Sequence, residues 1–209
     1  MERTMRYLEG HKITEFVLCV AYLKKQIIDA FGDGSKLGFS IEYAEADAPL
    51  GTAGQLKTAA GMLGETFLAL NGDIVTNLNV SKMVATHRKM GGVATIALKE
   101  FGVKIPYGHI IVDGEGRVKA FEEKPTLSYM ANAGVYVMEP DLLDEIPSGR
   151  VASLETDIFP KLIAKGKSIN SYYESAYWAD VGSMADFERV NDEALTDPSI
   201  MVPRNPPVD

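Results

Sequence analysis

The sequence predicts a mixed α/β domain: a Rossmann-like, mostly parallel sheet with helices on both faces and an antiparallel hairpin inserted in its second half. Three observations predict it. Apolar runs of strand length alternate with segments of helical period across residues 15–90. Further on, the glycine-rich run Asp113-Gly114-Glu115-Gly116 separates two strand-like stretches, as a hairpin turn would. The length of 209 residues, 46% hydrophobic and 24% charged, suits one such domain with a substantial core.

Taken in order, residues 15–20 read as strand and 24–31 as helix. Residues 39–45 and 52–62 repeat the pair, and 66–71 and 80–90 repeat it again. Such a βαβα rhythm gives parallel strands covered by helices and places the binding crevice at the carboxyl ends of the strands. Residues 108–113 and 117–122 form the hairpin, and 131–138 is a further strand. A helix over 154–165, a β-rich pair at 168–173 and 177–181, and a terminal helix over 183–195 complete a domain spanning 1–195. Residues 196–209 form a tail. Its Pro198, Pro203, Pro206 and Pro207 oppose regular helix or central strand, so an extended or disordered end is expected.

Composition narrows the partners. A net charge of −8 opposes general polyanion binding, which relies on clustered Lys and Arg, so no nucleic-acid partner is expected. No run approaches the roughly 18 apolar residues of a membrane span, and the opening residues, with Glu2, Arg3 and Arg6, hold no signal-peptide core. A soluble chain with no membrane partner follows. Cys19, the single cysteine, sits in the apolar run 16–20, where it is expected as a buried thiol; a reducing, cytoplasmic location fits. His11, His87 and His109 lack metal-ligand spacing and are read as structural.

An acidic chain that handles phosphorylated small molecules needs local cations, from placed lysines or from a divalent metal held by carboxylates. The apolar run 67–71 leads through Gly72 to Asp73, at a strand end where it is either a metal ligand or a cap for the next turn. Asp180, in Tyr177-Trp178-Ala179-Asp180-Val181-Gly182-Ser183, offers a second strand-end carboxylate, or a turn former ahead of an N-cap serine. Together they can hold one Mg²⁺ that bridges two phosphorylated substrates. In Leu50-Gly51-Thr52-Ala53-Gly54 the glycines let a planar ring or a phosphate approach the backbone, though a tight strand-to-helix turn explains them as well. Glu123 and Lys124, before Pro125, suit sugar hydroxyls and a phosphate, or a solvated surface. Asn132-Ala133-Gly134 offers an amide where a ligand can come close, or a plain β-turn.

In this order, Leu50-Gly51-Thr52-Ala53-Gly54, Asn71-Gly72-Asp73, Tyr107-Gly108, Glu123-Lys124-Pro125, Asn132-Ala133-Gly134-Val135-Tyr136 and Trp178-Ala179-Asp180-Val181-Gly182 resemble the sugar-1-phosphate nucleotidyltransferases, the nucleoside-diphosphate-sugar pyrophosphorylases. The loop looks most like that of mannose-1-phosphate guanylyltransferases, with glucose-1-phosphate thymidylyl- and uridylyltransferases next. The resemblance implies a nucleoside triphosphate and a sugar 1-phosphate as substrates and Mg²⁺ as cofactor, with Asp73, Lys124 and Asp180 catalytic and both aspartates on the metal. By the same resemblance Leu50, Gly51, Thr52, Ala53, Gly54 and Gly72 bind nucleotide, and Gly108, Glu123, Asn132 and Gly134 bind sugar. Family members carry a first strand, a glycine-rich loop with an arginine and a lysine-proline segment ahead of their first helix, which Met1-Glu2-Arg3-Thr4-Met5-Arg6-Tyr7-Leu8 resembles. The chain is therefore expected to lack that strand and loop and to leave neighbouring strands with unpaired backbone. A non-catalytic nucleotide-sugar-binding regulatory subunit, or an inactive fragment of such an enzyme, is the second reading, and an unrelated small-molecule-binding domain the third. No hexapeptide repeat follows the terminal helix, and the oligomeric state, a homo-oligomer included, stays open.

Overall fold

The computed structural model describes residues 1–201. In chain order these form α1 (Glu2–Glu9), β1 (Glu15–Val20), α2 (Lys24–Phe31), β2 (Ser40–Glu45), α3 (Gly51–Thr58), β3 (Phe67–Leu70), β4 (Ile74–Thr76) and α4 (Val80–Met90). There follow β5 (Ala94–Lys104), β6 (His109–Val112), β7 (Val118–Glu122), β8 (Thr126–Met138), α5 (Phe159–Ala164), β9 (Ile169–Tyr173), β10 (Trp178–Asp180) and α6 (Met184–Thr196). A π-helical turn, Leu154–Ile158, leads into α5.

The main sheet has the order β3-β8-β5-β9. Strand β8 runs antiparallel to both β3 and β5, while β5 and β9 are parallel, so β3, β5 and β9 share one direction. The period-two pattern of the strands assigns their faces. Leu68, Leu70, Val135 and Val137 pack toward Met83 and Val84 of α4. Phe67, Ala69, Tyr136 and Met138 pack toward Ala53 and Leu56 of α3, Leu154 and Ile158 of the π-turn, and Phe159 and Leu162 of α5. Helices thus cover both faces, and each large apolar side chain so buried stabilises the fold by about 1.5–3 kcal/mol.

Strands β1 and β2 form a separate parallel pair. Among the described residues β1 pairs only with β2, and β3 only with β8, so each keeps one edge without a strand partner. The edge shows in the burial: all four residues of β3 are half-buried, whereas residues 133–138 of β8 are buried throughout. Helix α1 ties the two parts together. Its Met5 packs with Phe39 and Ile41 of the β2 side, and its Tyr7 and Leu8 with Val80, Leu68 and Leu70.

Several expectations are corrected. Cys19 is exposed, not buried, because β1 has a neighbour along one edge only and buries just Val20 fully. Strands β4 and β5 lie in stretches the sequence pattern left unassigned. Strand β8 begins at Thr126, extending as a long arm paired with β5 through Lys104↔Thr126. Strands β9 and β10 do not pair with each other: β9 lies along β5 and β10 along β4. Pro198–Met201 forms a 3-10 turn rather than an extended end, with Ile200 buried and the Ser199 carbonyl accepting from Asn77 Nδ2 at 3.4 Å. Proline suits this position because the first helical N–H has no partner to lose. Pro203, Pro206 and Pro207 lie outside the described residues. His87 is buried, with Nδ1 2.8 Å from Thr95 Oγ1 and Nε2 3.0 Å from Glu139 Oε1, a structural placement. Among the described residues no helix is long and apolar enough to cross a membrane.

Candidate functional site

Asp73 and Asp180 are brought together by the antiparallel pairing of β4 with β10. Asp180 lies opposite Ile74, and the Val181 N–H donates to the Asp73 carbonyl at 2.9 Å, so the two aspartates are one step apart across the ladder. Both are exposed. Among the described residues no group of three or more His, Cys, Asp or Glu is gathered to hold a metal. Two carboxylates alone fit a hard cation that keeps most of its positions for phosphate and water. Gly72, beside Asp73, faces open space, whereas a Cβ at Gly182 would stand 3.2 Å from Asp180 Oδ1.

Three of the sequence motifs interlock here. The Asn71 N–H donates to the Gly134 carbonyl at 2.9 Å. Gly134 has φ +69°, and a Cβ there would come within 2.9 Å of Asn71 Nδ2 and 3.1 Å of Ile74 Cγ1, so both the backbone angle and the close approach call for glycine. The Trp178 indole N–H donates to the Ala133 carbonyl at 2.7 Å, bracing β10 on β8. Asn132 is exposed but oriented: its Oδ1 accepts from the Gly134 N–H at 3.0 Å, and its Nδ2 donates to the Tyr136 hydroxyl at 2.7 Å.

The loop Leu50–Gly54 lies against residues 150–155. The Ala53 and Gly54 N–H groups donate to the Ala152 carbonyl at 3.0 and 3.2 Å, and the Ala152 N–H returns a bond to the Leu50 carbonyl at 2.9 Å. A Cβ at Gly51, where φ is +73°, would meet that Ala152 oxygen at 2.5 Å, and one at Gly54 would meet the Arg150 oxygen at 2.6 Å. These two glycines are thus fixed by the chain packed on them, in keeping with the tight-turn reading. The Thr52 hydroxyl donates to Glu155 Oε2 at 2.8 Å and accepts from the Leu154 N–H at 2.9 Å.

Sequence reasoning missed Glu155 and Ser153 and gave Tyr136, quoted within a motif, no role of its own. Glu155 Oε1 accepts from the Tyr136 hydroxyl at 2.8 Å, and Oε2 accepts from Ser153 Oγ at 2.7 Å. Burial pushes the Glu155 carboxyl upward, but the bonds from Ser153, its own backbone, Tyr136 and Thr52 prevail and hold it below the ordinary carboxylate value. Burial drives the Tyr136 phenol upward in turn. A tyrosine inside an otherwise apolar strand was the available signal, since a buried phenol needs a partner.

Gly108, Glu123 and Lys124 form a cluster of their own at the end of the β5–β8 arm. A Cβ at Gly108 would lie 2.6 Å from Phe121 Cζ and 3.1 Å from Glu123 Oε2, and Lys124 Nζ stands 3.8 Å from Glu123 Oε1. Thr126 and Asn132 are six steps apart along β8, about 20 Å at the usual rise, so the end of the arm at Thr126 is remote from Asn132. Lys124 holds φ +47° immediately before Pro125, a conformation that costs a non-glycine residue about 1–3 kcal/mol.

Known proteins bear on this arrangement. The family profile described as nucleotidyl transferase matches residues 1–197. The chain is 38% identical over 182 residues to mannose-1-phosphate guanylyltransferase of Mycobacterium tuberculosis, covering 84% of this chain and 50% of the relative. It is 32% identical over 205 residues to UTP–glucose-1-phosphate uridylyltransferase of Synechocystis sp., covering 90% of this chain and 53% of the relative. The chain therefore spans about half the length of the curated relatives it matches. Its fold matches that of HddC from Yersinia pseudotuberculosis complexed with GMP-PN, with a TM-score of 0.71 at 22% identity over 92% of this chain and 84% of that one.

Proposed function

We propose, from the premise that the chain belongs to the nucleotidyl transferase family, that it transfers a nucleotidyl group from a nucleoside triphosphate to a sugar 1-phosphate. The observation that carries the reading is the one-step separation of Asp73 and Asp180 across the β4–β10 ladder, both exposed, together with the Asn71–Gly134 bond that ties this corner to the bulge of β8 between its pairs Ile96↔Tyr136 and Leu98↔Asn132, which presents Asn132 and Gly134. GTP with mannose 1-phosphate is the favoured pair, supported by the 38% identity to the mycobacterial guanylyltransferase; glucose 1-phosphate with dTTP or UTP comes next.

In this reaction a phosphate oxygen of the sugar 1-phosphate forms a bond to the α-phosphorus as the bond from that phosphorus to the α,β-bridging oxygen breaks, and pyrophosphate leaves. The attacking oxygen is already ionised, so the protein contributes position and charge neutralisation rather than a strong base. Asp73 and Asp180 would hold Mg²⁺, which when bound supplies positive charge to the phosphate oxygens. Leu50 to Gly54, with Gly72, receive the nucleotide, and Asn132 and Gly134 the sugar. Gly108 and Glu123 serve the sugar and Lys124 its phosphate only when the β5–β8 arm brings its end over that bulge. Cytoplasmic work on these soluble substrates follows from the same reading.

The test is pyrophosphate release from the chain with Mg²⁺, mannose 1-phosphate or glucose 1-phosphate, and each nucleoside triphosphate in turn. Turnover with GTP and mannose 1-phosphate is expected. Binding of a nucleotide-sugar without any release would overturn the catalytic reading in favour of a nucleotide-sugar-binding subunit.

A further inference from the structure

Four side chains join the two ends of the proposed site in one chain of hydrogen bonds. Thr52 Oγ1 donates to Glu155 Oε2 at 2.8 Å, the Tyr136 hydroxyl donates to Glu155 Oε1 at 2.8 Å, and Asn132 Nδ2 donates to that hydroxyl at 2.7 Å. The two oxygens of one carboxylate are thereby divided, one to the nucleotide loop and one toward the sugar side. Both outer members, Thr52 and Asn132, are exposed, while Tyr136 is only 1% exposed and Glu155 half-buried, so the link runs beneath the surface that ligands would occupy.

The middle of the link is firmly held. Ser153 Oγ donates to Glu155 Oε2 at 2.7 Å and accepts from the Glu155 and Thr156 N–H groups, so the carboxylate is pinned at the first turn of the π-helix. The Tyr136 ring lies in the core against Phe159, with ring centroids 5.7 Å apart. A side chain fixed at its ring and bonded at its tip transmits a shift rather than absorbing it. Asn132 in turn sets the backbone of the bulge by accepting from the Gly134 N–H.

We propose that Glu155 is a positioning residue that couples the nucleotide loop to the sugar-side bulge, so that filling either half of the site tightens the other. This rests on the assignment of the loop and of Asn132 to substrate made above. Glu155 itself touches neither substrate; it acts through Thr52 on one side and through Tyr136 and Asn132 on the other.

The decisive variant is Tyr136→Phe, which keeps the ring in the core and removes only the bridging hydroxyl; Glu155→Gln is its companion. Calorimetry with Mg²⁺ would measure a non-hydrolysable GTP analogue and mannose 1-phosphate, alone and together. The parent chain should show mutual tightening of about fivefold or more, and Tyr136→Phe should bring that factor to about one while each ligand alone stays within about twofold. A variant with a lower melting temperature but intact coupling would overturn the proposal, because a merely structural role predicts that. Hydrogen exchange on the ligand-free chain separates this inference from the substrate reading. Tyr136→Phe should speed exchange at the Ala53 and Gly54 amides as well as at Gly134; an unchanged loop sinks the coupling. If the parent binds neither ligand, the substrate reading fails while exchange still decides whether Glu155 joins the two ends.

Discussion

Gly51→Ala should destabilise the chain by about 2–5 kcal/mol, through two causes visible at one position. The residue sits at φ +73°, where an added Cβ costs about 1–2 kcal/mol. That Cβ would also stand 2.5 Å from the Ala152 carbonyl oxygen, which accepts from both Ala53 and Gly54. Since backbone at 152 must move to admit it, those two bonds weaken, at about 0.5–1.5 kcal/mol each. Gly72→Ala is the control: its added Cβ meets no atom within 4 Å and its φ is not positive. Urea unfolding followed by circular dichroism measures both. With a slope of about 1–3 kcal/mol per molar, the Gly51→Ala midpoint should fall by about 1 M or more, and the Gly72→Ala midpoint should barely move. Equal midpoints for Gly51→Ala and the parent would refute the argument that the glycine is there for packing against residue 152.

Asp73→Asn and Asp180→Asn should each abolish Mg²⁺-dependent nucleotide binding in a filter assay while moving the melting temperature little, since both side chains are exposed; binding equal to the parent's would remove them from the metal. Trp178→Phe leaves the Ala133 carbonyl without its 2.7 Å indole donor and should cost about 1–3 kcal/mol, read by thermal unfolding. Glu155 has a folded pKa below its ordinary value of 4.5. Its contribution is therefore present above that value and is lost as pH falls through the folded one. Glu155→Gln should flatten the acid limb of stability below pH 4.5, and an acid limb parallel to the parent's would contradict this.

Legibility followed how local the signal was. Helix α4 was readable to the residue because its ends carry their own chemistry: Asn79 Oδ1 accepts from the Lys82 N–H at 2.9 Å, and Gly91 takes φ +68° just past Met90. Strand β5 was not. Its outer half, from Phe101 to Lys104, is an arm supported mainly by β8, so it lacks the alternation that burial imposes on a strand lying over a core. At the site, residue chemistry was legible and proximity was not. Asp73 and Asp180 each announced a strand end, but only the antiparallel pairing of β4 with β10 brings their backbones within one step of each other across a ladder. Glu155 gave no sign of its role, because a glutamate early in a helical segment is ordinary; its meaning comes from Thr52 and Tyr136, which the fold brings from elsewhere in the chain.

In the proposed reading, the same packing bears on which part of a nucleotide the loop would receive. A helix start with free N–H groups is an anion site, and the beginning of α3 at Gly51 invites that reading. Here the N–H groups of Ala53 and Gly54 are already bonded to the Ala152 carbonyl, and the Cα faces of Gly51 and Gly54 are covered by residues 150–152. A phosphate at this point would have to displace a backbone carbonyl to reach those donors. In the proposed reading, Leu50 and the outer side of Thr52 suit the plane and edge of a base. In the proposed reading the phosphates would then belong with the exposed carboxylates at Asp73 and Asp180, through the cation these would hold. Guanosine should accordingly broaden or shift the amide resonances of residues 50–54 without metal, whereas pyrophosphate with Mg²⁺ should act on residues 72–73 and 180–182. Pyrophosphate shifting the Ala53 and Gly54 resonances as strongly as guanosine does would show that the amides are open to phosphate after all.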